Sequence, residues 1–316
     1  MTRSLFLLGG TGFIGKEVVG QALAAGFEVK ALGRSDASRE QLHQLGAIPI
    51  SGDADDPSSW SGELRGAGVL IDLLQPPLPK RLSPGNIDAI SRQRQDYTAA
   101  LLESIGSIAE PAERPVLFNI SGAEDLQPNA SGAIDHTSPL REDPYAFSRI
   151  GVPVRRLVEA SGVDAAYVYL GGIVYGPGKV FADVIVDGLR KRRAKVIGKG
   201  SNHMPLTHVA DAAGALVHLA GLPREQLVGK TFLATDGSTT TQREWMNLTA
   251  KLMGRKAPGS VPAWLAGLVA GGAAAESITA DVRDDPSALL ATGFKFRFPS
   301  PAEGIPDTLR ELGALA

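Results

Sequence analysis

Near the N-terminus, Leu5-Phe6-Leu7-Leu8 runs directly into Gly9-Gly10-Thr11-Gly12-Phe13-Ile14-Gly15. The apolar run predicts a buried strand over Ser4–Leu8. The glycines then fall in the spacing Gly-x-x-Gly-x-x-Gly at the mouth of a helix expected over Gly12–Ala25. Each glycine has a physical task in such a turn. Gly9 permits the tight reversal, Gly12 lets the backbone approach a pyrophosphate, and Gly15 lets the helix press on the strand. The first N–H groups of a helix have no partners inside it, and its dipole places positive potential there. The turn is therefore read as the phosphate loop of a dinucleotide site, made by Gly9, Thr11, Gly12, Phe13, Ile14 and Gly15.

The rest of the first half repeats the strand–helix alternation. Strands are expected over Glu28–Leu32, Ala47–Ile50, Val69–Leu74, Val116–Ile120 and Ala165–Leu170. Helices are expected over Ser38–Leu45, Pro57–Leu64, Asn86–Ser104 and Tyr145–Ala160. Near-continuous apolar strands separated by helices predict a parallel sheet covered on both faces, a Rossmann-type doubly wound α/β fold. Asp56-Pro57 offers an N-cap acceptor before proline at the first helical position, and Thr241-Gln242-Arg243-Glu244 reads as a capping box.

Beyond residue 170 the pattern shortens. Gly/Pro-rich loops (Gly171–Gly178, Gly198–Pro205) separate helices expected over Val180–Arg190, Asp211–Ala220, Thr241–Leu252, Pro262–Ala270 and Pro301–Leu312. Short strands are expected over Lys195–Ile197, Thr231–Ala234 and Phe294–Phe298. The expected division is a dinucleotide-binding domain over 1–170 and a mainly substrate-binding region over 171–316, built on the edge of the sheet.

The second strand speaks to the choice of nicotinamide. A site for NAD usually ends this strand in Asp or Glu, which binds the ribose 2′-hydroxyl. Here it ends Val29-Lys30-Ala31-Leu32-Gly33-Arg34-Ser35, with no carboxylate. Arg34 offers forked, charge-assisted hydrogen bonds to a 2′-phosphate. NADP(H) is therefore favoured, with NAD(H) possible.

Composition excludes several other classes. Of 316 residues, 43% are hydrophobic and 21% charged, which sets the chain apart from disordered sequences. A net charge of −2 argues against a general nucleic-acid binder. With no cysteine there is no disulfide scaffold, thiolate nucleophile or thiolate-bound metal. The five histidines show no paired metal-ligand spacing, so no metal is expected. Val261–Ala275, interrupted by Pro262 and three glycines, is too short to span a membrane and reads as a packed helix. No targeting segment is evident in Met1–Gly10. A cytoplasmic protein without membrane or nucleic-acid partners is expected.

Taken in order, these motifs resemble the extended short-chain dehydrogenase/reductases, also called the NAD-dependent epimerase/dehydratase family, over nearly the whole chain. Gly9–Gly15 matches the family's nucleotide loop, and Gly52-Asp53-Ala54 matches its adenine-contacting turn after the third strand. Val174-Tyr175-Gly176-Pro177-Gly178 matches the loop after its sixth strand, and His208-Val209-Ala210-Asp211 resembles its His-Val-x-Asp segment. The resemblance implies cofactor contacts from Asp53, Ala54 and, after the fourth strand, Leu74 and Gln75. A turn-capping role is open for Gln75. It also implies a homodimer through the helices near Asn86–Ser104 and Tyr145–Ala160.

The family's chemistry uses a Ser or Thr, a Tyr, and a Lys four residues after the Tyr. Ser121 ends the fifth strand, and Tyr145-Ala146-Phe147-Ser148-Arg149 puts Arg149 where the Lys belongs. An i, i+4 pair lies on one helix face. A tyrosine titrating near pH ~10 needs a nearby cation to exchange protons near neutrality. Arg149 supplies charge and donors to the nicotinamide ribose but does not readily give up its own proton. Glu124-Asp125 fall out of register with the Asp-Glu pair that family dehydratases carry directly after the Ser/Thr.

The expected activity is NADPH-dependent reduction of a carbonyl on a small metabolite, or oxidation of the alcohol. Ser121, Tyr145 and Arg149 are the catalytic candidates, and Ser121, Gly122, His136, Val174 and His203 are candidate substrate contacts. Solvated loop histidines are the alternative for His136 and His203. Two other functions stay open: a nucleotide-sugar epimerase that recycles its nicotinamide internally, and a non-catalytic NADP(H)-binding sensor or scaffold. The run Arg190-Lys191-Arg192-Arg193 either complements a helix C-terminus or meets an anionic substrate.

Overall fold

The computed structural model describes residues 3–77, 79, 82–145 and 147–316. The first six strands are β1 (Ser4–Leu8), β2 (Glu28–Gly33), β3 (Ile48–Ser51), β4 (Val69–Asp72), β5 (Val116–Gly122) and β6 (Ala165–Leu170). Shorter strands follow: β7 (Ile173–Tyr175), β8 (Val196–Ile197), β9 (Leu206–His208), β10 (Thr231–Ala234) and β11 (Ser260–Val261). Seven of them form one parallel sheet in the order β10-β6-β5-β4-β1-β2-β3. The order reverses between β1 and β4, which opens a crevice at the carboxyl ends of those strands. The sheet runs past the expected division at residue 170, since β10 pairs with β6 from Thr231↔Tyr167 to Ala234↔Leu170.

Helices cover both faces: α1 (Phe13–Ala24), α2 (Asp36–Gln44), α3 (Pro84–Gly106), α4 (Ser148–Ser161), α5 (Asp187–Arg190) and α6 (Val209–Ala220). Then come α7 (Gln242–Leu252), α8 (Ala263–Ala270), α9 (Gly272–Thr279), α10 (Ser287–Leu290) and α11 (Pro301–Glu311). Strand period divides the core. Leu5 and Leu7 of β1 enter the cluster with Val18, Val19 and the alanines of α6, while Phe6 and Leu8 enter the cluster with Tyr97, Leu101 and Val158. All four are fully buried, each worth ~1.5–3 kcal/mol over an exposed side chain. A third cluster, around Tyr175, Phe181 and Trp245, holds the C-terminal elements together.

Several elements depart from the sequence reading for identifiable reasons. The expected helix over Pro57–Leu64 is two 3₁₀ turns, Pro57–Ser59 and Ser61–Leu64. Between them Trp60 is drawn into the core, stacked on Phe6 with its Nε1 donating to Asp53 O at 2.7 Å. Asp56 accepts the Ser58 hydroxyl at 2.6 Å and makes no side-chain cap bond to the backbone. Phe294–Phe298 is not a strand. The N–H groups of Arg297 and Phe298 donate to the Asp211 carboxylate at 2.6 and 2.9 Å, so a side chain takes the place of a neighbouring strand. Val180–Arg190 is a π-helical segment over Phe181–Val186 that continues into α5.

Val261–Ala275 breaks at Gly271 (φ +99°) into the pair α8 and α9. It is not a packed helix throughout, because Trp264, Leu268 and Val269 are exposed at 68%, 58% and 76%. Among the described residues no helix is long and apolar enough to cross a membrane. The Thr241 capping box forms as expected, with Glu244 N donating to Thr241 Oγ1 and Glu244 Oε2 accepting from Thr241 N.

Candidate active site

The glycine turn between β1 and α1 forms a cradle. Gly9 has φ +80°, a conformation that favours glycine, and accepts a hydrogen bond from Gly12 N at 2.9 Å. A Cβ on Gly15 would overlap the Gly9 carbonyl, so only a glycine lets α1 approach this closely. Gly12 caps α1 without a side-chain acceptor, and the first turn carries no acidic residue. Among the described residues no side chain caps the leading N–H groups. Phe13 packs beneath Gly176 and Gly178, bringing the loop after β7 to the same place. Val174 sits in β7 paired with Thr207 of β9.

At the end of β2, Arg34 is exposed and makes no ion pair among the described residues. A second cation stands with it. Arg39, from the first turns of α2, folds back so that Nη1 donates to Gly33 O (3.2 Å) and Arg34 O (3.4 Å). Arg39 also pairs with Asp36, three residues earlier on the same helix. The sequence reading passed over Arg39, although its place three residues into α2 and the glycine at Gly33, where a Cβ would press on Arg39 Cγ, were the available signals.

The rim after β3 and β4 completes the cofactor side. Gly52 lies flat against the Trp60 ring, Asp53 is exposed and Ala54 half-buried. Leu74 N donates to Asp72 Oδ1 at 3.0 Å, and Gln75 is exposed. Asp72 is held by the buried Arg94 of α3 at 2.7 Å, with Arg94 stacked on Tyr97. This pair ties the end of β4 to α3. The cradle, the free N–H groups and the cations at the end of β2 fit a phosphorylated dinucleotide.

Ser121, the penultimate residue of β5, is half-buried, its Oγ 2.5 Å from Asp125 Oδ2. Asp125 itself is 1% exposed. Beside them, Gly122 leaves room for the Glu124 carboxylate. Tyr145 lies ahead of α4. The helix starts at Ser148, and position 146 of the expected helix lies outside the described residues. Ser148 Oγ accepts from Tyr145 N (2.8 Å) and donates to Tyr145 O (2.5 Å), a local turn that replaces the first turn of helix.

Tyr145 therefore does not share a helix face with Arg149. The Arg149 guanidinium pairs with Asp88 of α3 at 3.0 Å. Pro153 removes the donor that would bond the Arg149 carbonyl, and Ser91 Oγ of α3 supplies it at 2.8 Å. The cation beside Tyr145 is Arg141, 4.7 Å from the ring centroid, with its Nε donating to Glu124 O at 2.9 Å. Burial raises the Tyr145 phenol above its ordinary value; Arg141 opposes this, and Glu124 and Glu276 add to it.

An apolar pocket adjoins Glu124, walled by Ala123, Ile173, Met204, Ile278 and Val282, with His203 on its edge. His203 Nδ1 lies 2.7 Å from Asp281 Oδ1. His136 is exposed and apart from this pocket, next to the turn that Asp135 makes with Thr137. Asp236 and Asp284 are each 9% exposed, and among the described residues Asp236 Oδ2 has no hydrogen-bond partner. Burial pushes Asp236 up to about 6 and Asp284 well above the usual carboxylate range.

The His208–Asp211 segment turns out to fasten structure. His208 Nε2 meets Thr308 Oγ1 at 3.1 Å, its ring packs on Phe298, and burial pushes the imidazole down to about 4. Asp211 holds the 297–298 backbone, so both residues anchor the C-terminal segment.

Residues 9–196, more than half of the chain, match the family model described as NAD(P)H-binding. The chain belongs to this NAD(P)H-binding family, within the extended short-chain dehydrogenase/reductases, and binds NAD(P)H. It is 28% identical over 309 residues to the 3-diazoavenalumate denitrifying reductase of a Streptomyces species, covering 95% of this chain and 98% of that protein. It is 23% identical over 268 residues to the 4-hydroxy-2-methyl-3-oxo-4-farnesyl-3,4-dihydroquinoline-1-oxide ketoreductase of Stigmatella aurantiaca, covering 81% of this chain and 75% of that one. Its fold is similar to the crystal structure of human epimerase family protein SDR39U1 (isoform 2) with NADPH, at TM-score 0.79 and 21% identity, over 98% of this chain and 100% of that one.

Proposed function

We propose that this protein is an NADPH-dependent oxidoreductase that reduces a carbonyl on a small, largely apolar metabolite, or runs the reverse oxidation. The observation that carries the reading is Tyr145 with the Arg141 guanidinium on its ring, beside Glu124 in the turn that follows β5. When bound, NADPH supplies the hydride for the carbonyl carbon. Gly9, Thr11, Gly12, Phe13, Ile14 and Gly15 would hold the pyrophosphate, and Arg34 with Arg39 the 2′-phosphate. Asp53, Ala54, Leu74 and Gln75 would line the adenosine and nicotinamide sides.

Ser121 would hold the substrate oxygen by hydrogen bonding while Tyr145 Oη gives it a proton. Arg141 stabilises the phenolate left behind, the task the sequence assigned to Arg149. Arg149 would reach the ribose only by releasing Asp88. Gly122, Val174 and His203 border the substrate, and the apolar pocket wall favours a hydrocarbon or aryl group next to the carbonyl. The Streptomyces and Stigmatella relatives, named as a reductase and a ketoreductase, support reduction. A homodimer through α3 and α4, which pack on each other, belongs to the same proposal, and sedimentation tests it.

The test is NADPH consumption against a carbonyl panel. Tyr145→Phe is expected to lower turnover about a hundredfold or more, and Arg141→Met to lower it by more than Arg149→Met. Full activity in Tyr145→Phe would remove the tyrosine as proton donor. The epimerase-family name of the human neighbour favours a second reading, internal recycling of the nicotinamide. Product formation without net NADPH consumption would support that instead.

A further inference from the structure

Ser121 serves the proposed reaction only if its hydroxyl hydrogen points at the substrate oxygen, and Asp125 decides where that hydrogen points. This inference rests on the reductase reading for its functional consequence. Asp125 closes the 3₁₀ turn Ala123–Asp125 after β5, is 1% exposed, and has Oδ2 2.5 Å from Ser121 Oγ. The backbone of α4 seals the other side, for a Cβ on Gly151 would overlap both Asp125 Oδ2 and Ser121 Oγ.

The charged and titratable groups facing Asp125 come from four elements. Glu124 is beside it on the same turn, Arg141 reaches in from the loop before α4, Arg155 from α4 and Tyr169 from β6. Neither cation bonds the carboxyl among the described residues. Arg141 Nε donates to Glu124 O, and Arg155 is engaged by Glu159 at 2.7 Å and by the Tyr169 hydroxyl at 2.9 Å.

A carboxyl buried with no bonded cation is stable as the neutral acid. Burial pushes Asp125 well above the usual carboxylate range; the Ser121 hydrogen bond opposes this and the Glu124 charge adds to it. A neutral carboxyl has one hydrogen to give, and Ser121 Oγ lies in reach to take it. The serine hydrogen is then free for the crevice. A carboxylate would reverse the bond, take the serine hydrogen, and leave oxygen lone pairs facing a substrate oxygen.

We propose that Asp125 is a positioning residue that, as a carboxylic acid, donates to Ser121 Oγ and keeps Ser121 a hydrogen-bond donor toward the substrate oxygen.

The test uses the full chain with Asp125→Asn, whose amide has a donor for Ser121 that does not titrate, and Ser121→Ala. In the wild type, kcat/KM is expected to fall about tenfold per pH unit on the alkaline side as Asp125 loses its proton. Asp125→Asn should keep a neutral-pH rate within a few-fold of wild type, bind NADPH unchanged and lose the Asp125 limb, keeping only the later fall as the Tyr145 phenol ionises above its ordinary range, whereas Ser121→Ala should lose activity at all pH values. An unchanged alkaline limb in Asp125→Asn would assign the titration to another group, Tyr145 or Glu124, and overturn the inference. So would a loss as deep as that of Ser121→Ala in a folded, NADPH-binding variant.

Infrared difference spectra of wild type minus Asp125→Asn, taken without substrate, supply a readout independent of turnover. A protonated carboxyl band at neutral pH is expected, and its absence would overturn the inference even if no carbonyl were ever reduced. If the band is present and no carbonyl is reduced, the reductase reading fails while the acid form of Asp125 stands.

Discussion

Replacing Asp236 by asparagine removes a charge from one of the least accommodating places in the molecule. Asp236 follows β10, is 9% exposed, and among the described residues has Oδ2 without a partner, while Oδ1 accepts from Ser238 N at 2.9 Å. Burial raises its pKa from 3.8 to about 6, the Ser238 bonds oppose this, and the charge of Asp211 adds to it. The folded state thus holds this proton more tightly than the unfolded chain. Stability contributed by the neutral form is present below pH ~4, falls as pH rises toward ~6, and is gone above it. At about 1.4 kcal/mol per pH unit, the loss is about 3 kcal/mol, a large share of the usual ~5–15 kcal/mol total. Asparagine keeps the Oδ1 acceptor and does not titrate. Urea unfolding should show Asp236→Asn more stable relative to wild type at pH 7 than at pH 4 by about 2.5 kcal/mol, most of the full loss. An equal difference at the two pH values would refute the argument and place the Asp236 carboxylate in contact with water or a cation.

Other consequences follow from the same geometry. Arg34→Glu should weaken NADPH binding about ten- to a hundredfold, the loss of ~1.5–3 kcal/mol of charge-assisted hydrogen bonding, with NADH binding equal or tighter by fluorescence titration. Gly15→Ala forces a methyl into the Gly9 carbonyl. It should cost ~1–3 kcal/mol in thermal or urea unfolding and weaken NADPH binding more than tenfold. Arg94→Met strands Asp72 in a buried site, and ~3–5 kcal/mol of destabilisation is expected. Adding Asp72→Asn should restore a substantial part of it, which a double-mutant cycle measures.

Local patterning made much of the fold readable. The strand–glycine–helix unit, the six leading strands and the Thr241 capping box each depend on residues within one element or turn, so propensity and spacing suffice. What escaped depends on partners far along the chain. Arg141 stands beside Tyr145 because a side-chain turn at Ser148 delays α4 and because Asp88 claims Arg149. No spacing rule reports either fact. The same holds for the Asp125 carboxyl beside Ser121, since burial of a charged residue is a tertiary outcome. Asp211 lies within the 171–316 stretch expected to bind substrate, but its carboxylate serves the 297–298 backbone and also accounts for the missing strand there. The exposed apolar face of α8 is the converse case. Its composition reads as core, and Gly271 breaks the helix so that Trp264 and Val269 face outward.

The most direct test of NADPH-dependent reduction starts from the purified protein with no substrate chosen. Denaturation and mass spectrometry identify any nucleotide carried through purification, and titration then gives the affinities for NADPH and NADH. The reductase account predicts little retained nucleotide and a clear preference for NADPH that Arg34→Glu removes, as an enzyme exchanging its cofactor every cycle requires. Stoichiometric, tightly held NAD would contradict it and point to a nicotinamide reduced and reoxidised within each turnover.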